Sequence, residues 1–386
     1  MVAQDARIVI VGAGIVGCSI AYHLAQRGCT NVVVLEKEPV EVSGSTARSA
    51  AGVRHQFTSR TNILLSQYSI ERFKHFTAEV GGHAELHQDG YLFLFNNAQQ
   101  WAEYQPVIAL QREMGVAVET LTPDEAAQYV PQMNVADLVG ATFCADDGFV
   151  DPHGVAMGYL NRARQLGTRL LRDCAATRFR IVDDHVTGIE TPQGLIECDV
   201  VVNAAGPYAG ELAAVAGLHV PIKPFRRSIY VTEPFSPIPP DIPLTIDVGT
   251  GAYMRKERDS LLLGLSRLDE PSSHLTTVDW DWLDTVLEAL LNRFPILERA
   301  GLSERQSWAG SYEITPDHLP ILGRMPTLPN WVNAAGFSGH GVMHAPATGL
   351  LIAEEILDGR AHSINIDDLR IERFAAGSLH AERNVI

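Results

Sequence analysis

The order of apolar and polar positions divides the chain into a few distinct segments. Ile8 to Val11 is an unbroken β-branched run, as expected of a strand buried on both faces of a parallel sheet. The glycine turn from Gly12 to Gly17 leads into CSIAYHLAQRG, which predicts a helix, and NVVVLEKE predicts a second strand ending at Glu36. Strand, turn, helix and strand in that order form a βαβ unit. Asp199 to Ala205 passes from charge into a branched apolar strand and breaks at Gly206-Pro207. Trp331 to Ala335 predicts a strand, Gly336 to Gly341 an open glycine loop, and Pro346 to Leu357 a helix entered through its proline. Gln88 to Phe95 and Leu261 to Gly264 predict further strands. Trp282 to Phe294 carries apolar residues at 283, 286, 287, 290, 291 and 294, a helical stripe expected to be core. The proline-rich piece from Phe235 to Pro243 reads as a surface loop.

The βαβ unit carries the first chemistry. Gly12 permits a tight turn, Gly14 lets backbone approach a pyrophosphate, and Gly17 lets the helix lie close on the strand. Ile15 and Val16 open the helix, whose unsatisfied N–H groups and positive dipole end face an anion. Glu36 stands nineteen residues after Gly17, where a carboxylate accepts hydrogen bonds from adenosine ribose hydroxyls and repels a 2′-phosphate. A lone glycine turn is often only a turn, but here strand, helix, second strand and acidic terminus agree. The residues alone leave FAD and NAD both open.

With 386 residues, the chain has room for two domains or for one large domain with an insertion. A formal net charge of −16 argues against nucleic-acid or anionic-membrane binding. No apolar run approaches the length of a membrane span or a signal-peptide core, so a cytoplasmic protein with no transmembrane segment is expected. The five cysteines (Cys18, Cys29, Cys144, Cys174, Cys198) are odd in number and never form a CxxC pair, as expected of reduced buried thiols. His340 and His344 are four apart, but Gly341 lies between them and no HExxH glutamate accompanies them, so no metal is expected.

Three further segments decide the cofactor by resemblance. Gly44-Ser-Thr-Ala-Arg-Ser-Ala-Ala-Gly-Val-Arg54, Val200-Val-Val-Asn-Ala-Ala-Gly-Pro207 and Gly336-Phe-Ser-Gly-His-Gly-Val-Met343 together resemble the D-amino acid oxidase and sarcosine oxidase superfamily of FAD-dependent oxidoreductases. In texture they are most similar to the β subunits of heteromeric sarcosine oxidases and proline dehydrogenases. The resemblance implies an α/β fold: a Rossmann-type FAD-binding domain with a parallel central sheet, and a substrate domain with a large mixed or antiparallel sheet. The FAD-binding domain is expected to be discontinuous, at 1–76, 140–217 and 314–386, with 77–139 and 218–313 forming the substrate domain.

The cofactor contacts implied in the βαβ unit are Gly12, Gly14, Ile15, Val16, Gly17, Glu36 and Lys37. The small-residue run would add Ser43, Ser45, Thr46, Arg48, Ser49, Ala50, Ala51 and Gly52, and the middle of the chain Ala176, Ala204, Ala205 and Gly206. The C-terminal part would add Gly310, Gly336, Ser338, Gly339, His340, Gly341, Val342 and Met343. Arg54 matches the arginine that holds the substrate carboxylate in monomeric sarcosine oxidase, with a position facing FAD or solvent as the alternative. Tyr253 and Tyr312 match pocket tyrosines or are plain packing, and His340 either tunes protonation beside the flavin or is a supporting loop residue.

Departures from the family shape the rest. The cysteine and the histidine that tether flavin in relatives align with Gly310 and near Arg48, so FAD is expected to be non-covalent. A histidine that tethers a second flavin aligns with Pro152, and His153 is off register. A lysine that promotes reaction with oxygen aligns with Leu262, which tilts the expectation from oxidase to dehydrogenase. A second carboxylate-binding lysine aligns with Met343, which leaves room for a larger or less polar substrate.

The implied reaction oxidises the C–N bond of a small amine or amino acid (sarcosine, an N-methylglycine derivative, proline or a D-amino acid) by hydride transfer to flavin N5, and the imine then hydrolyses. The rival readings are a β subunit that passes electrons to a hetero-oligomeric partner, a catalytically silent FAD-binding assembly factor, and a tRNA-modifying oxidoreductase that the charge disfavours.

Overall fold

The computed structural model describes residues 4–377 and 381–382. The βαβ unit forms as Gln4–Val11, Ile15–Gln26 and Val32–Leu35. Ile8 to Val11 are buried and sit between two parallel neighbours, with Ile8 opposite both Val200 and Val32. This is why the run tolerates no polar residue on either face.

The sheet continues outward in the order Ile321–Met325, Leu328–Ala335, Gly194–Asn203, Gln4–Val11, Val32–Leu35, Arg169–Leu171. All neighbours along it are parallel except Ile321–Met325. The hairpin Arg178–Val182 and His185–Thr191 is added beside Gly194–Asn203. On one face the first helix packs against Pro152–Gln165 and Gly341–Leu357. It approaches the latter so closely that a Cβ on Gly349 would strike the Ser19 hydroxyl and the His23 ring.

A second eight-stranded sheet runs Trp308–Ile314, Lys223–Val231, Ser260–Gly264, Tyr253–Glu257, Leu244–Asp247, Tyr91–Phe95, Gly140–Cys144, Glu119–Leu121. It is antiparallel but for the pair Leu244–Asp247 with Tyr91–Phe95. One parallel sheet under helices and one mixed sheet is the architecture the resemblance implied.

Two local expectations change. The C-terminal helix runs Gly341–Leu357 with His340 as its N-cap residue, five residues earlier than a proline entry would place it. Pro346 has helical φ by construction, and its missing N–H deprives only the Val342 carbonyl of a donor, so the helix forms through it. The proline-rich piece is a loop, but Phe235, Ile238 and Ile242 are buried in it. They pack with Val286, Leu290 and Phe294 of the expected helical stripe, which folds as Leu283–Arg293.

Candidate active site

Between the two sheets lies a cavity of about 650 Å³. Its first end is built by the βαβ unit. Gly12, Gly14, Ile15, Val16, Glu36 and Lys37 line it, and Glu36 accepts hydrogen bonds from Ala13 N and Glu38 N, each at 3.0 Å, which fixes its carboxylate at the strand terminus. The helix opens on Gly14 with no side-chain cap from that residue. A Cβ on Gly14 would have only Thr46 Oγ1 nearby, at 3.3 Å, so the backbone there is open to a bulky ligand. Open backbone, a helix N-terminus and a carboxylate fit the pyrophosphate and ribose of an adenine dinucleotide.

The small-residue run folds as a short 3₁₀ turn at Ser45–Arg48. Thr46 Oγ1 accepts from Ile15 N at 3.1 Å, and the Ser45 hydroxyl donates to the Ser311 carbonyl at 2.7 Å, so the run links the two sheets. Ser43, Ser45, Thr46, Arg48, Ser49 and Ala50 line the cavity, as do Ala176, Ala204, Ala205 and Gly206. Near Glu36, Lys37 Nζ sits 3.5 Å from the centre of the Tyr208 ring, which stacks on His274 at 4.1 Å.

The other end belongs to the second sheet and the glycine loop. Tyr253, Tyr312, Gly310, Gly339, Gly341 and Val342 line it. Gly264 lies opposite Tyr253 in the ladder, and a side chain there would strike the phenol, so glycine lets Tyr253 lie flat across the sheet. Gly339, at φ +98°, lets the loop pass over the Tyr312 ring. Burial pushes both phenols up, Tyr253 well above its ordinary range, so each remains a hydrogen-bond donor.

Several expected residues do not reach the wall. Gly17 faces the Gly12 carbonyl, and Gly52 and Ala51 lie behind the wall, where Gly52 pairs with Phe149. Gly336, Ser338, His340 and Met343 lie behind it too: Gly336 N donates to Glu313 Oε2 at 2.8 Å and Ser338 N to the Glu313 carbonyl at 3.1 Å.

Arg54 is 1% exposed and does not line the cavity. It donates to the Gln56 carbonyl at 2.6 Å and to His340 Nε2 at 3.0 Å, with Phe57 stacked 4.1 Å away. Its guanidinium is committed inside the protein, where it ties the glycine loop to residues 54–57. His340 therefore accepts through Nε2 and carries its proton on Nδ1.

Four polar residues were missed. Asp147, fully buried, accepts from His55 N at 2.6 Å, His55 Nδ1 at 2.8 Å and Gln56 Nε2 at 3.1 Å, so it anchors the segment that carries Arg54. His55, Cys144 and Asp147 have donor atoms within 4.8 Å of one another. Burial pushes the Cys144 thiol up, so it is neutral beside Asp147. Glu313 and Arg227 line the cavity. Although Glu313 faces the cavity in part, crowding by protein pushes its carboxyl up to about 7 against the pull of the Gly336 and Phe337 N–H groups. No periodicity or motif singles out these four residues.

Comparison with known proteins gives a consistent set. The family model described as FAD dependent oxidoreductase (DAO) matches residues 7–355. The mitochondrial sarcosine dehydrogenase of Homo sapiens is 30% identical over 372 residues, covering 92% of this chain and 40% of that protein. The chain therefore spans well under half the length of that relative. FAD-dependent oxidoreductase domain-containing protein 1 of Xenopus laevis is 30% identical over 430 residues, covering 99% of this chain and 85% of that one. Among solved structures, L-proline dehydrogenase from P. horikoshii superposes with a TM-score of 0.91 at 31% identity, covering 98% of this chain and 100% of that one. Among the described residues no helix is long and apolar enough to cross a membrane.

Proposed function

Because the chain belongs to the DAO family of FAD-dependent oxidoreductases, we propose that it is a dehydrogenase that oxidises the C–N bond of a small amino acid, with proline and N-methylated glycines as leading candidates. The observation that carries this reading is the continuity of one cavity from Glu36 and Gly14 to Tyr253, Tyr312 and Gly339. The cavity carries nucleotide-type groups at one end and the phenols of Tyr253 and Tyr312 at the other. FAD supplies the two-electron acceptor when bound.

The protein's part is to hold and neutralise. The N-terminus of Gly341–Leu357, with Gly341 and Val342 on the wall, turns a positive dipole end toward the chamber and stabilises negative charge developing there. Tyr253 and Tyr312, both kept as phenols, donate hydrogen bonds to substrate and accept no proton. This suits an amine that enters neutral and leaves as an imine without a strong side-chain base. Leu262, where an oxygen-reactive relative has lysine, is fully buried with Ile229 and Val231. The absence of a cation at that position favours a dehydrogenase that hands electrons to a carrier or partner subunit.

The test is anaerobic mixing of the yellow protein with L-proline, sarcosine, N,N-dimethylglycine and D-alanine, with bleaching as the readout, followed by air or an artificial acceptor. Bleaching by at least one amino acid is expected, with reoxidation faster by dye than by air. If none of them bleaches the protein, the catalytic reading fails. Fast reoxidation by air would restore the oxidase.

A further inference from the structure

Resting on the amino-acid reading above, we propose that Arg227 captures the substrate carboxylate, so that the site selects amino acids over amines that lack one. Arg226 and Arg227 are adjacent on Lys223–Val231 and point to opposite faces of the sheet. Arg226 is saturated: it donates to both oxygens of Glu270 at 3.0 and 3.3 Å and to Asp279 at 2.8 Å. Arg227 lines the cavity instead. One terminal nitrogen, Nη1, donates to the Arg226 carbonyl at 2.8 Å, and Nε is buried with no hydrogen-bond partner. Among the described residues no carboxylate forms an ion pair with it.

Burial lowers its proton affinity and only the neighbouring Tyr312, Glu270 and Tyr253 oppose this, yet a guanidinium stays charged. A half-buried cation with no carboxylate partner and a buried Nε left unbonded is costly unless an anion completes it. The anion would come from the cavity that Arg227 lines. Arg227 lies opposite Gly310 in the ladder, against which the Arg48 backbone packs, and its guanidinium lies 5.3 Å from the centre of the Tyr312 ring. Tyr253 contributes to the field on the same group. An amino acid held by the Arg227 guanidinium would lie between the two phenols, with its carboxylate meeting the charge from the cavity side. Arg54 does not compete for this task, since its donors are engaged with Gln56 and His340 behind the wall.

The inference is tested on the FAD-loaded protein with ligands that have a carboxylate and no C–N bond to oxidise: acetate and tetrahydrofuran-2-carboxylate, with tetrahydrofuran-2-carboxamide as the uncharged control. Each is titrated against the flavin absorbance of wild type, Arg227→Lys and Arg227→Met. The expected result is a Kd for the carboxylates at least tenfold higher in Arg227→Met and intermediate in Arg227→Lys, with the amide unchanged and FAD content equal in all three. In turnover with L-proline, KM should rise by more than kcat falls.

Equal carboxylate affinity in wild type and Arg227→Met would overturn the assignment, as would loss of FAD from a folded Arg227→Lys, which would make Arg227 a cofactor ligand. A wild type that binds these carboxylates but is bleached by no amino acid would sink the proposed reaction and leave the Arg227 site standing.

Discussion

Asp147 and Glu313 show how much rests on single buried carboxyls. Asp147 accepts three hydrogen bonds from His55 and Gln56 with no solvent to replace them. Asp147→Asn turns one acceptor into a donor facing donors, and is expected to cost about 3 kcal/mol of stability, measurable by urea unfolding. Because the segment it anchors carries Arg54, FAD affinity should weaken in the same variant. Glu313 behaves differently. Its carboxyl is raised from 4.5 to about 7, so the fold favours the protonated form. The stability this confers is present in full below about pH 4.5 and is lost as pH rises through about 7. Glu313→Gln should therefore flatten the fall in Tm of the FAD-free protein across that window, and an unchanged profile would show that the carboxyl does not titrate there. Neither residue announces itself in the sequence: Asp147 sits in an ordinary acidic turn, and Glu313 is one polar position on an alternating strand. Arg227 is hidden for the same reason, since KPFRRSIYV does not say which of two arginines faces a ligand.

Among elements, those dictated by local pattern were legible. The run from Ile8 to Val11, the glycine turn and the strand ending at Glu36 each specify themselves, whereas the register with Val200 and Val32 was not legible, because a run apolar on both faces reads the same after a one-residue slip. Of the second sheet only Gln88 to Phe95 and Leu261 to Gly264 were legible as strands, and its order was not, because neighbours such as Trp308–Ile314 and Lys223–Val231, or Tyr91–Phe95 and Leu244–Asp247, are far apart in the chain. The start of the C-terminal helix was misread because proline was taken as a boundary marker, whereas packing of Gly349 against Ser19 and His23 holds the helix beyond it. That contact gives an element-level expectation. Gly349→Val must separate two helices that now touch, at a cost of about 1–3 kcal/mol, seen as a lower Tm and, because Val342 sits on the cavity wall at the head of the same helix, weaker FAD retention. Normal stability in this variant would mean that the helices move apart freely.

At the scale of the whole molecule, the cavity is walled by both sheets, and the Ser45–Ser311 hydrogen bond crosses between them. A ligand filling that space contacts both, so FAD should act as a fastener: removing it by acid or high salt is expected to lower Tm, and restoring it to about a thousandfold excess over Kd should recover about 4 kcal/mol. Scanning calorimetry of stripped and reloaded protein checks this, with coincident transitions as the contrary result. The same partition has an evolutionary consequence. Groups suited to gripping a nucleotide sit on the parallel sheet, whereas Arg227, Tyr253 and Tyr312 sit on the mixed one. On the proposed reading, substitutions that retune which molecule is consumed would accumulate mainly on the mixed sheet, while the parallel one keeps most of the grip on the redox carrier. A library aimed at a changed substrate choice should, on the same reading, be confined to three strands: Lys223–Val231, Tyr253–Glu257 and Trp308–Ile314.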